Sequence, residues 1–381
     1  MRQVIPMIEN VFFTLLRIGL GAAESLSSEF VLSAEDWECL YSMAAKQSVL
    51  GVAYAGVCRL PKDRRPPLEL VFQWASEVEM IRGHNRLVDG VAARLTERFE
   101  KEGRRSAILK GPANARLYPD PGIRQCGDID IWVEGGRAEI ESMLLKMGLL
   151  HVSNPSLPRP EAYHHFHLPE PVDGVEVEVH FRPSSGNQNP FSNARLQKFL
   201  ESELENLVQT DVGFWSPSVR FALVMQLAHI QRHFLTSGIG FRQLVDYLVL
   251  LRCSSAADRD FVSSRLRYFG LNRTAGALMW VLRYSLGLPA SQLLGKPHRG
   301  RGLRMVAQAF AGGNFGLFGK ARNRNIVAWW VYNWAHPLRN FFFDPVEVFW
   351  IEARYWKRFV ASIPLRVRLR KISIRDVMER N

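Results

Sequence analysis

Two aspartates, Asp128 and Asp130, are separated by one isoleucine in the segment GDIDIWVE, which otherwise has the composition of a buried β-strand. Because side chains two residues apart on a strand point to the same side, the two carboxylates share a face. A second alternating segment, GVEVEVHFRP, places Glu176, Glu178 and His180 on one face as well. If the two strands pair, the second strand offers a third carboxylate beside the two aspartates, and three such groups cannot all stay ionised unless a cation neutralises them. Mg²⁺ prefers such oxygen ligands, and two such ions would support phosphoryl transfer.

A turn that could receive a phosphate precedes the two aspartates. Gly111 ends the short apolar segment SAILKG, and Pro112 suits the first turn of a helix. Gly111 would let the backbone approach a triphosphate closely, and a helix beginning at Pro112 would direct its N–H groups toward it. Lys110 lies where a cation would meet nucleotide phosphate, but an ordinary lysine at a strand end fits the pattern equally well. Arg124 could bind phosphate or form a salt bridge with an aspartate.

Hydrophobic periodicity predicts the elements that must position these groups. The predicted helices cover residues 34–57, 68–103, 112–118, 137–148, 216–238 and 241–253, with further helices to about 290. The predicted strands cover residues 106–111, 127–134, 163–170 and 174–183. This order predicts an α+β fold with a small mixed β-sheet core, flanked by N- and C-terminal helical regions. The expected domains are an N-terminal helical region (1–103), the core (104–212), a helical domain (213–290) and a basic, aromatic-rich C-terminal region (291–381).

Length and composition predict a globular protein. The 381 residues are 47% hydrophobic, enough for the cores of two or three domains. The cysteines show no C-x-x-C spacing and no histidine partner at ligand spacing, so a reducing, cytoplasmic setting fits best. They are Cys39, Cys58, Cys126 and Cys253. The apolar N-terminal segment is interrupted by Glu9, Asn10 and Arg17 and is too short and polar to span a bilayer. It is interpreted as an amphipathic helix, with a signal peptide as the alternative.

Positive charge is concentrated in one stretch. The net charge is +12, and residues 261–343 contain twelve Lys or Arg and no acidic residue. Such a block attracts polyanions, whether nucleic acid, anionic lipid or nucleotide phosphate. A solvated basic surface that serves solubility is the alternative.

Histidines are placed at regular spacing in two segments. His229 and His233 lie four residues apart on a predicted helix, so they could contact substrate or phosphate, pack in the core or bind a metal. The segment YHHFHL places His165 and His167 on one strand face, where a role near the acceptor substrate is one interpretation. In the following helix, Arg242 and Asp246 are again four residues apart, which predicts an ion pair within that helix.

Five motifs follow one another over about residues 30–290: LKG, YPDPGIRQCGDIDIWV, VEVEVHFR, HIQRHF and FRQLVDYLVLL. This ordered set resembles the bacterial family of uncharacterised nucleotidyltransferases, within the minimal nucleotidyltransferase, polymerase-beta-like superfamily. The superfamily turn usually reads Gly-Ser or Gly-Gly where this chain has Gly111 and Pro112. Its third carboxylate is more often Asp than Glu, and here Glu176 could compete with Glu178 for the role.

The resemblance implies that Asp128, Asp130 and Glu178 are the metal ligands and catalytic residues, next to the matching His180. The types and positions of the other residues predict nucleotide binding by Lys110, Gly111 and Arg124, and substrate contact by His180, His229 and His233.

The implied activity is the transfer of a nucleoside monophosphate from a nucleoside triphosphate to an unknown acceptor hydroxyl or phosphate, with two Mg²⁺ ions as cofactors. Polyanion contact through residues 261–343 would be an additional partner interaction. The alternative is a catalytically degenerate nucleotidyltransferase fold that binds nucleic acid or an anionic membrane. The concentrated carboxylates favour the enzyme, because a polyanion-binding module has no use for a negative site.

Overall fold

Helices surround a small mixed β-sheet, which confirms the predicted α+β class. The computed structural model describes residues 7–22, 26, 31–151, 163–313, 338 and 340–368, with the backbone alone for 365–368. The helices in these ranges are α1 (Met7–Gly19), α2 (Ala34–Lys46), α3 (Leu50–Cys58), α4 (Leu68–Lys101), α5 (Pro112–Ala115), α6 (Arg137–Lys146), α7 (Pro190–Glu203), α8 (Val219–Thr236), α9 (Phe241–Cys253), α10 (Ala256–Arg265), α11 (Asn272–Tyr284), α12 (Arg299–Gly312) and α13 (Pro345–Arg368). The strands are β1 (Ser106–Ile108), β2 (Ile129–Val133), β3 (His165–His167), β4 (Val177–His180), β5 (Val208–Gln209) and β6 (Trp215–Ser216).

The main sheet has the strand order β1-β2-β4-β3, and β5 pairs separately with β6. The central strands β2 and β4 are parallel, whereas β1 and β3 pair antiparallel with them. The register of the central pair places Asp130 opposite Glu178. The two strands that carry the predicted carboxylates are therefore neighbours, with the carboxylates directly beside each other.

Alternation along β2 separates an apolar face from a polar one. Ile129, Ile131 and Val133 pack against the second half of α4 and against α6, in one of two hydrophobic clusters. Asp130 points to the opposite face, where it lines a cleft together with residues of α8 and α9. Burial of the isoleucine and valine side chains thus fixes the direction of the aspartate.

The N-terminal helix α1 is part of the larger, helical core. Phe12 and Phe13 are almost completely buried and make edge-to-face contacts with Phe241 of α9 and Phe310 of α12. The segment interpreted as an amphipathic helix is therefore a core helix in this fold. No helix in the described ranges is long and apolar enough to cross a membrane.

Several elements differ from the predictions or were not predicted. Helix α7 and the pair β5–β6 were missed, and α5 is a single turn rather than a helix over 112–118. The long helix α4 contributes to both hydrophobic clusters, with Trp74 in the helical core and Phe99 against the sheet. The predicted domain boundaries stay a prediction. Residues 314–337, which form much of the basic and aromatic stretch, lie outside the described residues.

Candidate active site

Two carboxylates and one imidazole meet on the polar face of the sheet. Asp130 is 1% exposed and His180 is 4% exposed. His180 Nε2 lies 3.1 Å from Asp130 Oδ1 and 3.5 Å from Glu178 Oε2. One ligand atom from each of these three residues lies within 4.8 Å of the other two, which is compact enough to surround a metal ion. Asp128 is half-buried, lines the same cleft and interacts electrostatically with Asp130 and Glu178.

Lys110 brings a positive charge to this cluster. Its Nζ lies 2.6 Å from Asp130 Oδ2, and its side chain is 22% exposed at the edge of the cleft. The strand β1 fixes the position of Lys110, because Leu109 N donates to Asp130 O in a backbone hydrogen bond of 2.9 Å. Lys110, which the sequence offers as a phosphate contact or as an ordinary strand-end lysine, neutralises an aspartate in this structure.

The pKa values show how far the negative charges are balanced. Burial raises the pKa of Asp128, and the charges of Asp130 and Glu178 add to the effect, while Lys110 offsets only part of it. For Asp130, burial acts in the same direction, but Lys110 and His180 outweigh it and lower the pKa. Burial would lower the pKa of His180, but its contacts with Asp130 and Glu178 raise it. Asp128 is thus the carboxylate that needs a further cation.

A divalent cation fits this donor set. The oxygen donors are those of Asp128, Asp130 and Glu178, and hard cations such as Mg²⁺ take carboxylate oxygens as ligands. The carboxylate burial would favour binding, because a buried anion is destabilised unless it is paired. The structure places Glu178 in the cluster, whereas Glu176 is exposed, which favours Glu178 as the third carboxylate.

The turn before the aspartates requires glycine. Gly111 has a φ of +64°, and a Cβ at this position would lie 3.3 Å from Asp128 O. The turn therefore packs closely against the backbone of the first aspartate. Helix α5 begins at Pro112 as predicted, but it is a single turn that ends at Ala115. Contact of its N–H groups with phosphate stays a prediction.

A family model described as uncharacterised nucleotidyltransferase matches residues 33–287, which is more than half of the chain. The chain belongs to this nucleotidyltransferase family. No curated protein and no solved structure matches it. Family membership supports nucleotidyl transfer as the general activity, and the matched region contains the carboxylates, Lys110 and both cleft helices α8 and α9.

The cleft also contains a buried ion pair between Arg124 and Asp246, both of which line it. The guanidinium donates from Nε to Oδ1 at 2.8 Å and from Nη2 to Oδ2 at 2.7 Å, and both residues are 5% exposed. Asp246 forms its salt bridge across the fold with Arg124, whereas Arg242 of the same helix α9 acts on Asp246 electrostatically and donates from Nη1 to Gln125 O. The direct ion pair predicted between Arg242 and Asp246 stays a prediction. The sequence left open whether Arg124 binds phosphate or forms a salt bridge with an aspartate. In the structure its guanidinium forms the salt bridge, although the residue also lines the cleft.

Three polar residues of this network were not recognised in the sequence. Tyr118 donates to Asp246 at 2.6 Å, and Asn114 donates to it at 3.2 Å. Gln226 of α8 exchanges hydrogen bonds with Asn114. The signal was an aspartate inside an apolar helix, since such a charge must be paired. The network joins the segment that follows Gly111 to α8 and α9.

The histidines of α8 lie in or beside the cleft. His229 lines it, and its ring centroid is 4.3 Å from that of His233, whose Nδ1 lies 2.8 Å from Ser237 Oγ. Burial lowers the pKa of both, that of His233 to about 4, so both are neutral near pH 7. Neither belongs to a possible three-ligand metal group among the described residues. Substrate contact by His229 and His233 stays a prediction, and His229 has the better position for it.

Proposed function

We propose that this chain transfers a nucleoside monophosphate from a nucleoside triphosphate to an acceptor hydroxyl or phosphate, with release of pyrophosphate. The observation that carries the proposal is the pairing of Asp130 with Glu178 on adjacent parallel strands. Asp130 and Asp128 line the same cleft as Lys110 and Gly111. Family membership supports the reaction class.

Asp128, Asp130 and Glu178 would hold one or two Mg²⁺ ions. When bound, these ions would activate the attacking oxygen and neutralise charge on the triphosphate. Burial raises the pKa of Glu178, but its contact with His180 and the neighbouring His165 and Lys110 lower it overall. A carboxylate with a lowered pKa suits a ligand better than a general base.

Lys110 and Gly111 would position the triphosphate. The lysine ammonium lies at the edge of the cleft, so it can exchange its contact with Asp130 for a phosphate oxygen once another cation neutralises the aspartate. The absence of a side chain at Gly111 leaves the backbone of the turn open to close approach. His180 donates to Asp130 from the buried side and restrains the carboxylate.

The test is transfer of label from α-³²P nucleoside triphosphates in the presence of Mg²⁺ and fractionated pools of small molecules, RNA and protein as acceptors. We expect label in one acceptor pool together with release of unlabelled pyrophosphate. Asp130→Asn should abolish both, whereas Glu176→Gln, which alters an exposed carboxylate just before β4, should leave both unchanged. Equal label transfer by wild type and Asp130→Asn would contradict the proposal.

Polyanion contact through residues 261–343 stays a prediction. Several of its arginines are engaged within the fold: Arg273 pairs with Asp344, Arg283 donates to Leu288 O, Arg301 to Phe343 O and Arg304 to Asn340 Oδ1. These contacts attach α11 and α12 to neighbouring segments. They give this part of the basic stretch a structural role in the described residues.

A further inference from the structure

A cluster of histidines occupies the edge of the sheet next to the carboxylates. We call His164, His165, His167 and Glu178 the edge cluster. Strand β3 is the edge strand, and its antiparallel register with β4 places His165 opposite His180 and His167 opposite Glu178. The alternation of β3 turns both imidazoles toward the same face as the Glu178 carboxylate.

The two distances from the histidines of β3 to Glu178 are long for hydrogen bonds. His165 Nδ1 lies 3.4 Å from Glu178 Oε2, and His167 Nε2 lies 3.4 Å from Glu178 Oε1. An N–H···O hydrogen bond usually spans about 2.9–3.0 Å. Two ligands that bind one tetrahedral Zn²⁺ at about 2.05 Å are separated by about 3.3 Å. The spacing thus agrees better with ligands around one ion than with direct hydrogen bonds.

The ligand atoms are close enough to share an ion. One ligand atom from each of His165, His167 and Glu178 lies within 4.8 Å of the others. A further nitrogen, His164 Nε2, lies 2.9 Å from His165 Nδ1. The side chain of His167 is 69% exposed, so it has room to rotate toward an ion bound by the other two residues. The side chains of His165 and Glu178 are 11% and 18% exposed, so the surrounding protein restrains them.

The donor types distinguish this site from the Mg²⁺ carboxylates. Imidazole nitrogens together with one carboxylate are ligands of Zn²⁺ and related transition-metal ions, whereas Mg²⁺ prefers oxygen and retains water. We propose that His165, His167 and Glu178, with His164 beside them, bind one transition-metal ion of the Zn²⁺ class. The site is separate from Asp128 and Asp130, on the other side of Glu178.

An ion in the edge cluster would fix the carboxylate that both sites share. Glu178 Oε2 faces His180 at 3.5 Å as well as His165, so its orientation affects the Asp130 side. An ion bound by His165 and His167 on the edge strand would hold the Glu178 side chain in one rotamer. The histidines of YHHFHL would then have a positioning role for the third carboxylate.

The test is titration of the untagged full-length protein with Zn²⁺ against a chromogenic chelator, with a large excess of Mg²⁺ to saturate the carboxylate side. We expect about one Zn²⁺ per chain. The double variant His165→Ala/His167→Ala should bind Zn²⁺ at least about 100-fold more weakly, since loss of an outer-shell partner alone costs about 10–100-fold. His84→Ala, which removes an exposed histidine of α4, is the matched control and should bind as wild type.

Two further variants keep the outcome clear. His167→Ala alone alters an exposed side chain and should fold normally, yet it should weaken Zn²⁺ binding. Asp128→Asn should keep the Zn²⁺ affinity while it weakens nucleotide binding, so failure of the two proposals can be told apart. The metal site is refuted if wild type does not bind Zn²⁺, if excess Mg²⁺ displaces it, if the double variant retains wild-type affinity, or if Asp128→Asn abolishes binding.

Discussion

The variant Asp246→Asn should lower the free energy of unfolding, because it leaves a buried cation without its counter-charge. Arg124 and Asp246 are each 5% exposed and share two hydrogen bonds of 2.8 and 2.7 Å. Asparagine keeps the shape and one acceptor oxygen, so Tyr118 retains a partner. The carboxylate charge is lost, however, and the Arg124 guanidinium stays buried.

The expected loss is about 3–5 kcal/mol, the usual cost of removing one partner of a buried ion pair. This would be a large share of the stability of a typical protein, which is about 5–15 kcal/mol. Urea unfolding followed by circular dichroism would measure this loss. The dependence of the unfolding free energy on urea concentration should be the same in variant and wild type, so that the change in midpoint reports stability.

Asp173→Asn is the matched control. Asp173 forms a salt bridge of 2.5 Å with Arg94, but both side chains are more than half exposed. Its φ of +50° is one that asparagine tolerates, so the substitution adds no backbone strain. The expected loss is below about 1 kcal/mol. Equal losses in the two variants would refute the reasoning.

The double variant Arg124→Met/Asp246→Asn isolates the effect of the unpaired charge. It removes the buried cation while Tyr118 and Asn114 keep a polar partner at position 246. We expect it to be more stable than Asp246→Asn alone, because replacing a buried pair costs less than breaking it. A double variant that loses the sum of both single effects would show that the charges do not interact.

Three further predictions concern other parts of the fold. Gly111→Ala should destabilise by more than about 1 kcal/mol because φ is +64°, and it should weaken nucleotide binding; a thermal shift with and without Mg²⁺-ATP measures both. Phe13→Ala should cost about 3–5 kcal/mol in urea unfolding, and a negligible loss would contradict the core position of α1. Burial raises the pKa of Glu347 from 4.5 to about 7, so stability should fall by roughly 3 kcal/mol as pH rises from 4.5 to 7. Glu347→Gln should remove this dependence in pH-resolved melting curves.

Local alternation was sufficient to predict the central strands and the shared face of Asp128 and Asp130. Each strand segment has a two-residue period that holds whatever its partner is. The same parity put Glu178 and His180 on one face. The choice between Glu176 and Glu178 depended on where β4 begins, since Glu176 lies just before its first residue, Val177, and is exposed.

Tertiary contacts account for what the sequence could not indicate. Arg124 and Asp246 are 122 positions apart, so the nearer Arg242 was the natural local partner. The one-turn length of α5 fits the network as well, because Asn114 and Tyr118 are both held by Asp246. For the edge cluster, the sequence placed His165 and His167 on one face, but only the register of β3 with β4 shows that they face Glu178.

Calorimetric titration of Mg²⁺-ATP and Mg²⁺-GTP into wild type and the double variant Asp128→Asn/Asp130→Asn tests the central claim most directly. The account predicts that wild type binds at least one of the two nucleotides in a Mg²⁺-dependent manner. The double variant, checked for folding by its melting curve, should not bind either. Absence of binding to the wild type, or equal binding to the folded double variant, would contradict the claim that these carboxylates form a metal-nucleotide site.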